Sequence, residues 1–210
     1  MFGVSRFKGK TIVIAGAEHP LGASLCERLA RFGAVVIAVG WTDTTLLDIA
    51  ARAPGKIEPL MLSQGRRDVL ELLREAWGDE PLNVYIDLIP IMNPARHDMP
   101  HAAFAQSAGL ASALAAGMRA GRARGIMAIP YGHGGAPSAQ ARTAGYTALV
   151  RRLSRDLRPA RVLGLALPDQ AGGWTTPATV SAGDTVMTLA HDVSRGIKAG
   201  SIVEWAMPDA

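Results

Sequence analysis

One stretch near the N-terminus constrains this chain more than any other. Thr11-Ile12-Val13-Ile14-Ala15-Gly16 is apolar and β-branched, the composition of a buried strand. It runs into Ala17-Glu18-His19-Pro20-Leu21-Gly22-Ala23, and then into the amphipathic run Ser24 to Phe32. Strand, glycine-bounded turn and helix in that order aim a helix N-terminus at the end of a strand. The first N–H groups of a helix have no partner within it, so such a turn can cradle a phosphate. Gly16, Glu18, His19, Leu21 and Gly22 are the candidate cofactor-binding residues on this ground.

The same alternation continues along the chain. Strands are predicted at 34–39, 57–62, 82–89, 126–129, 161–167 and 201–205. Helices are predicted at 44–53, 68–77, 101–121, 139–157 and 184–197. Pro54-Gly55, Gly78, Pro90 and Pro159 stop elements at these boundaries. Strands that alternate with helices imply βαβ units and a parallel sheet covered on both faces. The expected fold class is therefore α/β: a doubly wound, Rossmann-type three-layer sandwich with a mostly parallel sheet of about seven strands. A length of 210 residues without a linker or repeat suits one domain, residues 1–210. Ligands in such folds sit at the carboxyl ends of the strands, here the turns after residues 16, 40, 62, 89, 129 and 167.

Composition removes several function classes. No apolar run approaches the roughly 20 residues that span a bilayer. Residues 1–10 hold no apolar signal core, and Cys26 is the only cysteine. A disulfide framework is excluded, and a cytoplasmic location is expected. Cys26 falls inside the first helical pattern and reads as a small buried hydrophobe. The net charge is +4, carried mostly by arginine, including Arg119, Arg122, Arg124 and a run from Arg151 to Arg161. No aromatic residue interleaves with these clusters, so solvated helix faces are expected rather than a nucleic-acid surface.

Gly16, three residues, position 20, one residue and Gly22 resemble the phosphate turn of the short-chain dehydrogenase/reductase family. The order of strands and the helix lengths extend the resemblance over nearly the whole chain. Pro168-Asp169 after the sixth strand is similar to the family's proline-glycine step. The resemblance implies a nicotinamide cofactor, NAD or NADP, and a carbonyl or alcohol substrate.

The departures from that pattern are systematic. Pro20 stands at the middle glycine position and removes an N–H donor, although proline also opens helices well. After the second strand, Gly40-Trp41-Thr42-Asp43 lacks the acid or arginine that would meet the ribose. Asp43 stands late and suits a helix cap. Trp41 suits either stacking on an adenine or packing in the core. Met61-Leu62-Ser63-Gln64 lacks the family's aspartate, and Asp87-Leu88-Ile89-Pro90 replaces its Asn-Asn-Ala-Gly.

The catalytic groups implied by the resemblance are also missing. Pro130-Tyr131 stands where the family has a serine. The family's tyrosine and lysine, four residues apart, fall on Thr143 and Thr147 in one register, or on Tyr146 and Val150 in another. Lysine occurs only at positions 8, 10, 56 and 198. Tyr131, His133 and Tyr146 are the candidate non-standard acids. His97 and His101 have the spacing of a helical metal pair, but Pro100 interrupts the helix and no third ligand is near in sequence, so no metal is expected. Only residues 168–181 separate the sixth strand from the next predicted helix, a short lid over any substrate pocket.

The expectation from these features is a divergent family-like protein with a degenerate cofactor and catalytic site, serving as a structural or regulatory subunit. Cofactor binding is expected to be weak. An active NAD(P)-dependent oxidoreductase with a non-standard acid, and a nicotinamide-nucleotide-sensing protein, remain as alternatives. The 101–121 and 139–157 helices are rich in Ala and Gly, which let helices approach closely. The resemblance implies that they form the main interface of a homo- or hetero-oligomer.

Overall fold

A computed structural model describes residues 6–62, 67–92, 100–131, 137–168, 174–191 and 196–205. Seven strands form one sheet: β1 Thr11–Ala15, β2 Val35–Gly40, β3 Ile57–Met61, β4 Val84–Asp87, β5 Arg124–Tyr131, β6 Arg161–Pro168 and β7 Ile202–Glu204. Their spatial order is β3-β2-β1-β4-β5-β6-β7. Every neighbouring pair is parallel, so the mostly parallel sheet expected is wholly so. The order reverses between β1 and β4, which places the switch-point crevice at their carboxyl ends.

Period two along the strands sorts side chains to two cores. Ile12 and Ile14 of β1, with Val84 and Ile86 of β4, face one layer of helices: α1 Pro20–Arg31, α2 Asp43–Ala51 and α7 Thr176–Ala190. Val13, Ala15 and Tyr85 face the other layer: α3 Arg67–Trp77, α4 Pro100–Ala113, α5 Ala115–Ala120 and α6 Pro137–Asp156. Each fully buried Ile or Leu in these layers stabilises the fold by about 1.5–3 kcal/mol. Cys26 lies in the first layer, where burial pushes its thiol up to about 12.

Several element boundaries differ from those predicted. The 101–121 helix is two helices that part at Leu114, and Gly117 of α5 packs against Trp77 and the Glu80 carbonyl. The last helix starts at Thr176 rather than 184, because Thr175 caps it and Pro177 fits its first turn. β4 is shorter than expected and gives way to a single 3-10 turn, Ile89–Ile91. β5 is longer, reaching Tyr131. Among the described residues, no helix is long and apolar enough to cross a membrane.

Candidate functional site

Gly16 ends β1 with φ +78°, a left-handed conformation that favours glycine. The chain then folds back tightly, and a Cβ at Gly22 would fall 2.6 Å from the Gly16 carbonyl oxygen. The geometry of a phosphate turn is thus present, but most of its donors are already engaged. The N–H groups of Gly16 and Ala17 both donate to the Val39 carbonyl, at 2.9 and 3.0 Å. That of His19 donates to the Gly16 carbonyl at 3.0 Å. That of Leu21 donates to Nδ1 of the buried His19 ring at 3.2 Å. Pro20, the first residue of α1, has no N–H to offer.

Accepting at Nδ1 fixes His19 as a neutral imidazole with its proton on Nε2. Burial lowers its pKa to about 4, so it carries no charge toward a phosphate at neutral pH. Trp174 meets the His19 ring edge-on at 5.2 Å and stacks on Trp205 at 5.7 Å. Trp205 in turn donates from Nε1 to Ser181 Oγ at 3.2 Å. Trp174, just before α7, therefore leans on the phosphate turn and is backed by Trp205, just after β7.

Glu18 is a cofactor candidate by its place in the turn, but the structure gives it a different task. Its carboxylate reaches across to the end of β2 and accepts from the N–H groups of Trp41, at 3.1 Å, and Thr42. Gly40 makes room, since a Cβ there would lie 3.0 Å from the Glu18 side chain. In a doubly wound fold the residues after the second strand meet the nucleotide ribose. Here an internal carboxylate holds those backbone donors. Trp41 is half-buried and packs on the α3–α6 side of the core.

Across the crevice, Leu88 and Ile89 press on the turn from the β4 side. A Cβ at Gly16 would meet Ile89 N at 3.0 Å and the Leu88 carbonyl carbon at 3.1 Å. Ile89 and Pro90 are buried. The Leu88–Ile89 main chain and the Met92 sulfur thus lie close against Gly16. The residues present do not fit a tightly held NAD or NADP.

The candidate acids divide. Tyr131 ends β5 and is half exposed at the carboxyl edge of the sheet. His133 lies outside the described residues, as do His97 and the His101 side chain. Tyr146 is 2 % exposed, with its ring 5.4 Å from that of Phe104. Thr143 of α6 donates to the Pro130 carbonyl at 2.7 Å, beside the end of β5.

A buried polar cluster that the sequence did not announce lies behind the site. Tyr85 and Asp87 share one face of β4. Asp87 is fully buried and accepts from Ile89 N–H at 3.0 Å and Tyr85 O–H at 3.3 Å. Ser107 of α4, also fully buried, adjoins both Asp87 and Tyr146, but its Oγ makes no well-formed hydrogen bond. Burial raises the Asp87 pKa to about 6, against the partial relief from Ser107, Ile89 and Tyr85. Burial, and then the Asp87 charge, push Tyr85 and Tyr146 well above the usual phenol range. Neither phenol is tuned for proton transfer near neutral pH.

No family model matches the chain, and no curated protein matches it. Solved structures do. A short chain dehydrogenase/reductase family protein aligns at 20 % identity with a TM-score of 0.72, covering 95 % of this chain and 96 % of its own. A short chain dehydrogenase from Bacillus anthracis str. 'Ames Ancestor' aligns at 17 % identity with a TM-score of 0.73, covering 95 % of each chain. At these identities the likeness is one of architecture, and in architecture this chain has the fold of the short-chain dehydrogenase/reductases.

Proposed function

We propose that this chain is a non-catalytic protein of the short-chain dehydrogenase/reductase fold, acting as a structural or regulatory subunit of an oligomer. The observation that carries this reading is the Glu18 carboxylate seated on the Trp41 and Thr42 N–H groups, where a cofactor ribose would lie. The internally satisfied phosphate turn and the buried Tyr146 support it.

An assembly surface follows the two alanine-rich helices. Phe104, Ala105 and Ser112 of α4 are exposed, as are Ala141, Ala144 and Ala148 of α6. Ala111 instead lies in the core layer against the sheet, and Ala113 is buried. Light scattering after size exclusion at tens of micromolar is expected to give at least twice the 22.1 kDa chain mass. Ala144→Arg is expected to shift that mass toward the monomer, because an unpaired charge in a packed interface is costly. A monomer unchanged by Ala144→Arg sinks the homo-oligomer; a partner-dependent shift would then point to a hetero-oligomer.

A second reading, an active oxidoreductase, rests on Tyr131, a half-exposed phenol at the ligand edge beside the Thr143–Pro130 contact. Turnover of NADH or NADPH with a panel of ketones is expected to stay at background in the wild type and in Tyr131→Phe. A wild-type turnover that falls in Tyr131→Phe by the roughly 10²–10⁴-fold of a general acid establishes the second reading instead.

A further inference from the structure

A second concave site lies at the opposite edge of the sheet, under the amino ends of the strands. It is a cavity of about 300 Å³ lined by Arg6, Lys10, Asn83, Arg122, Arg124 and His191 among others. Lys10 directly precedes β1 and Arg124 opens β5, so parallel pairing fixes their side of the molecule. Phe7 forms an apolar wall, its ring edge-on to His191 at 6.3 Å. No Asp or Glu lines the cavity among the described residues.

Four permanent cations around one cavity repel one another, and the chain nevertheless gathers them. The C-terminal end of α7, at His191, brings a partial negative charge of about half a unit beside them. Arg122 adds a second observation. It is the one non-glycine residue with positive φ, +49°, among those described. It follows the Gly121 cap of α5, a position where helices favour glycine. The glycine stands one residue earlier because a Cβ at 121 would lie 2.0 Å from the Leu82 carbonyl oxygen. An arginine that lines a basic cavity is thus held in a disfavoured backbone conformation, the kind of local strain that gathers at ligand sites.

We propose that this cavity binds a compact, multiply charged oxyanion, a diphosphate or a polycarboxylate of small size. The volume is at the lower end of small-molecule sites, roughly 300–1,000 Å³. Guanidinium forks match phosphate and carboxylate oxygens equally in geometry. A long nucleic acid is disfavoured, since the basic residues line a concavity and no exposed aromatic platform adjoins them among the described residues.

Lys10 and Arg122 are exposed, so their replacement leaves the core intact. Calorimetric titration of the full chain with pyrophosphate and with citrate, at fixed ionic strength, is expected to show saturable binding of one of them below about 10 mM. Lys10→Gln and Arg122→Gln are each expected to weaken that binding roughly tenfold, the effect of removing one charge-assisted hydrogen bond. Pyrophosphate alone binding identifies a phosphate site, and citrate alone a carboxylate site. Absence of saturable binding by both, or affinities unchanged in both variants, overturns the proposal. So does tighter binding of single-stranded RNA that disappears in the same variants while neither small anion binds.

Discussion

Tyr146→Ala is expected to lower the unfolding free energy by about 3–5 kcal/mol, the range for deleting a large buried ring. Tyr146 is 2 % exposed and belongs to the core layer on the α3–α6 side of the sheet, with its ring 5.4 Å from that of Phe104. For a chain of this length that decrease corresponds to a fall in Tm of about 10 °C. Tyr146→Phe keeps the ring and is expected to cost no more than about 1.5 kcal/mol, the worth of one hydrogen bond. Urea unfolding of both variants separates packing from chemistry. If the alanine variant were destabilised by under about 1 kcal/mol, while the phenylalanine variant abolished a turnover, Tyr146 would be an acid and not a core residue.

Asp87→Asn is expected to stabilise the protein at alkaline pH and to change little at pH 4. The sign follows from the direction in which the carboxyl is perturbed. Burial raises its folded-state pKa to about 6 from the ordinary 3.8. Between those values the folded state binds more protons than the unfolded one, so stability falls as pH rises through this window. Asparagine cannot ionise, and it can still accept from Ile89 N–H as Asp87 does. The advantage of the variant is expected to grow by about 2–3 kcal/mol between pH 4 and pH 8, because a tenfold change in proton affinity is worth about 1.36 kcal/mol. Chemical unfolding across that range measures it. A variant whose relative stability is flat with pH would show that Asp87 does not titrate in this window.

Much of the architecture was legible because it depends on local pattern. Ile12 and Ile14 against Val13 and Ala15 announce a strand buried on both faces, and the structure divides them between two cores. Thr175-Thr176-Pro177 carried a helix-start signal that would have placed α7 correctly. The break at Leu114 carried none: the surrounding Ala-Ser-Ala-Leu-Ala-Ala sequence propagates a helix, and tertiary contacts of Gly117 with Trp77 decide the geometry. At the site, the turn from Gly16 to Gly22 was visible as spacing, and Pro20 as a missing donor. The role of Glu18 was not, because its partners lie 23 and 24 residues away and become neighbours only when β1 pairs with β2. The Asp87 cluster was hidden for the same reason. Tyr85 and Asp87 share a face by simple alternation, but Ser107 and Tyr146 reach them from two separate helices.

Closure of the nucleotide cradle is tested most directly by calorimetric titration of the full chain with NADH and with NADPH. Removing a charge-assisted hydrogen bond from a cofactor site costs about 1.5–3 kcal/mol, or one to two decades of affinity. With the Pro20 donor absent and the Trp41 and Thr42 donors held by Glu18, dissociation constants weaker than about 100 μM are expected for both nucleotides. A low-micromolar constant for either one would contradict a closed cradle and restore the oxidoreductase reading.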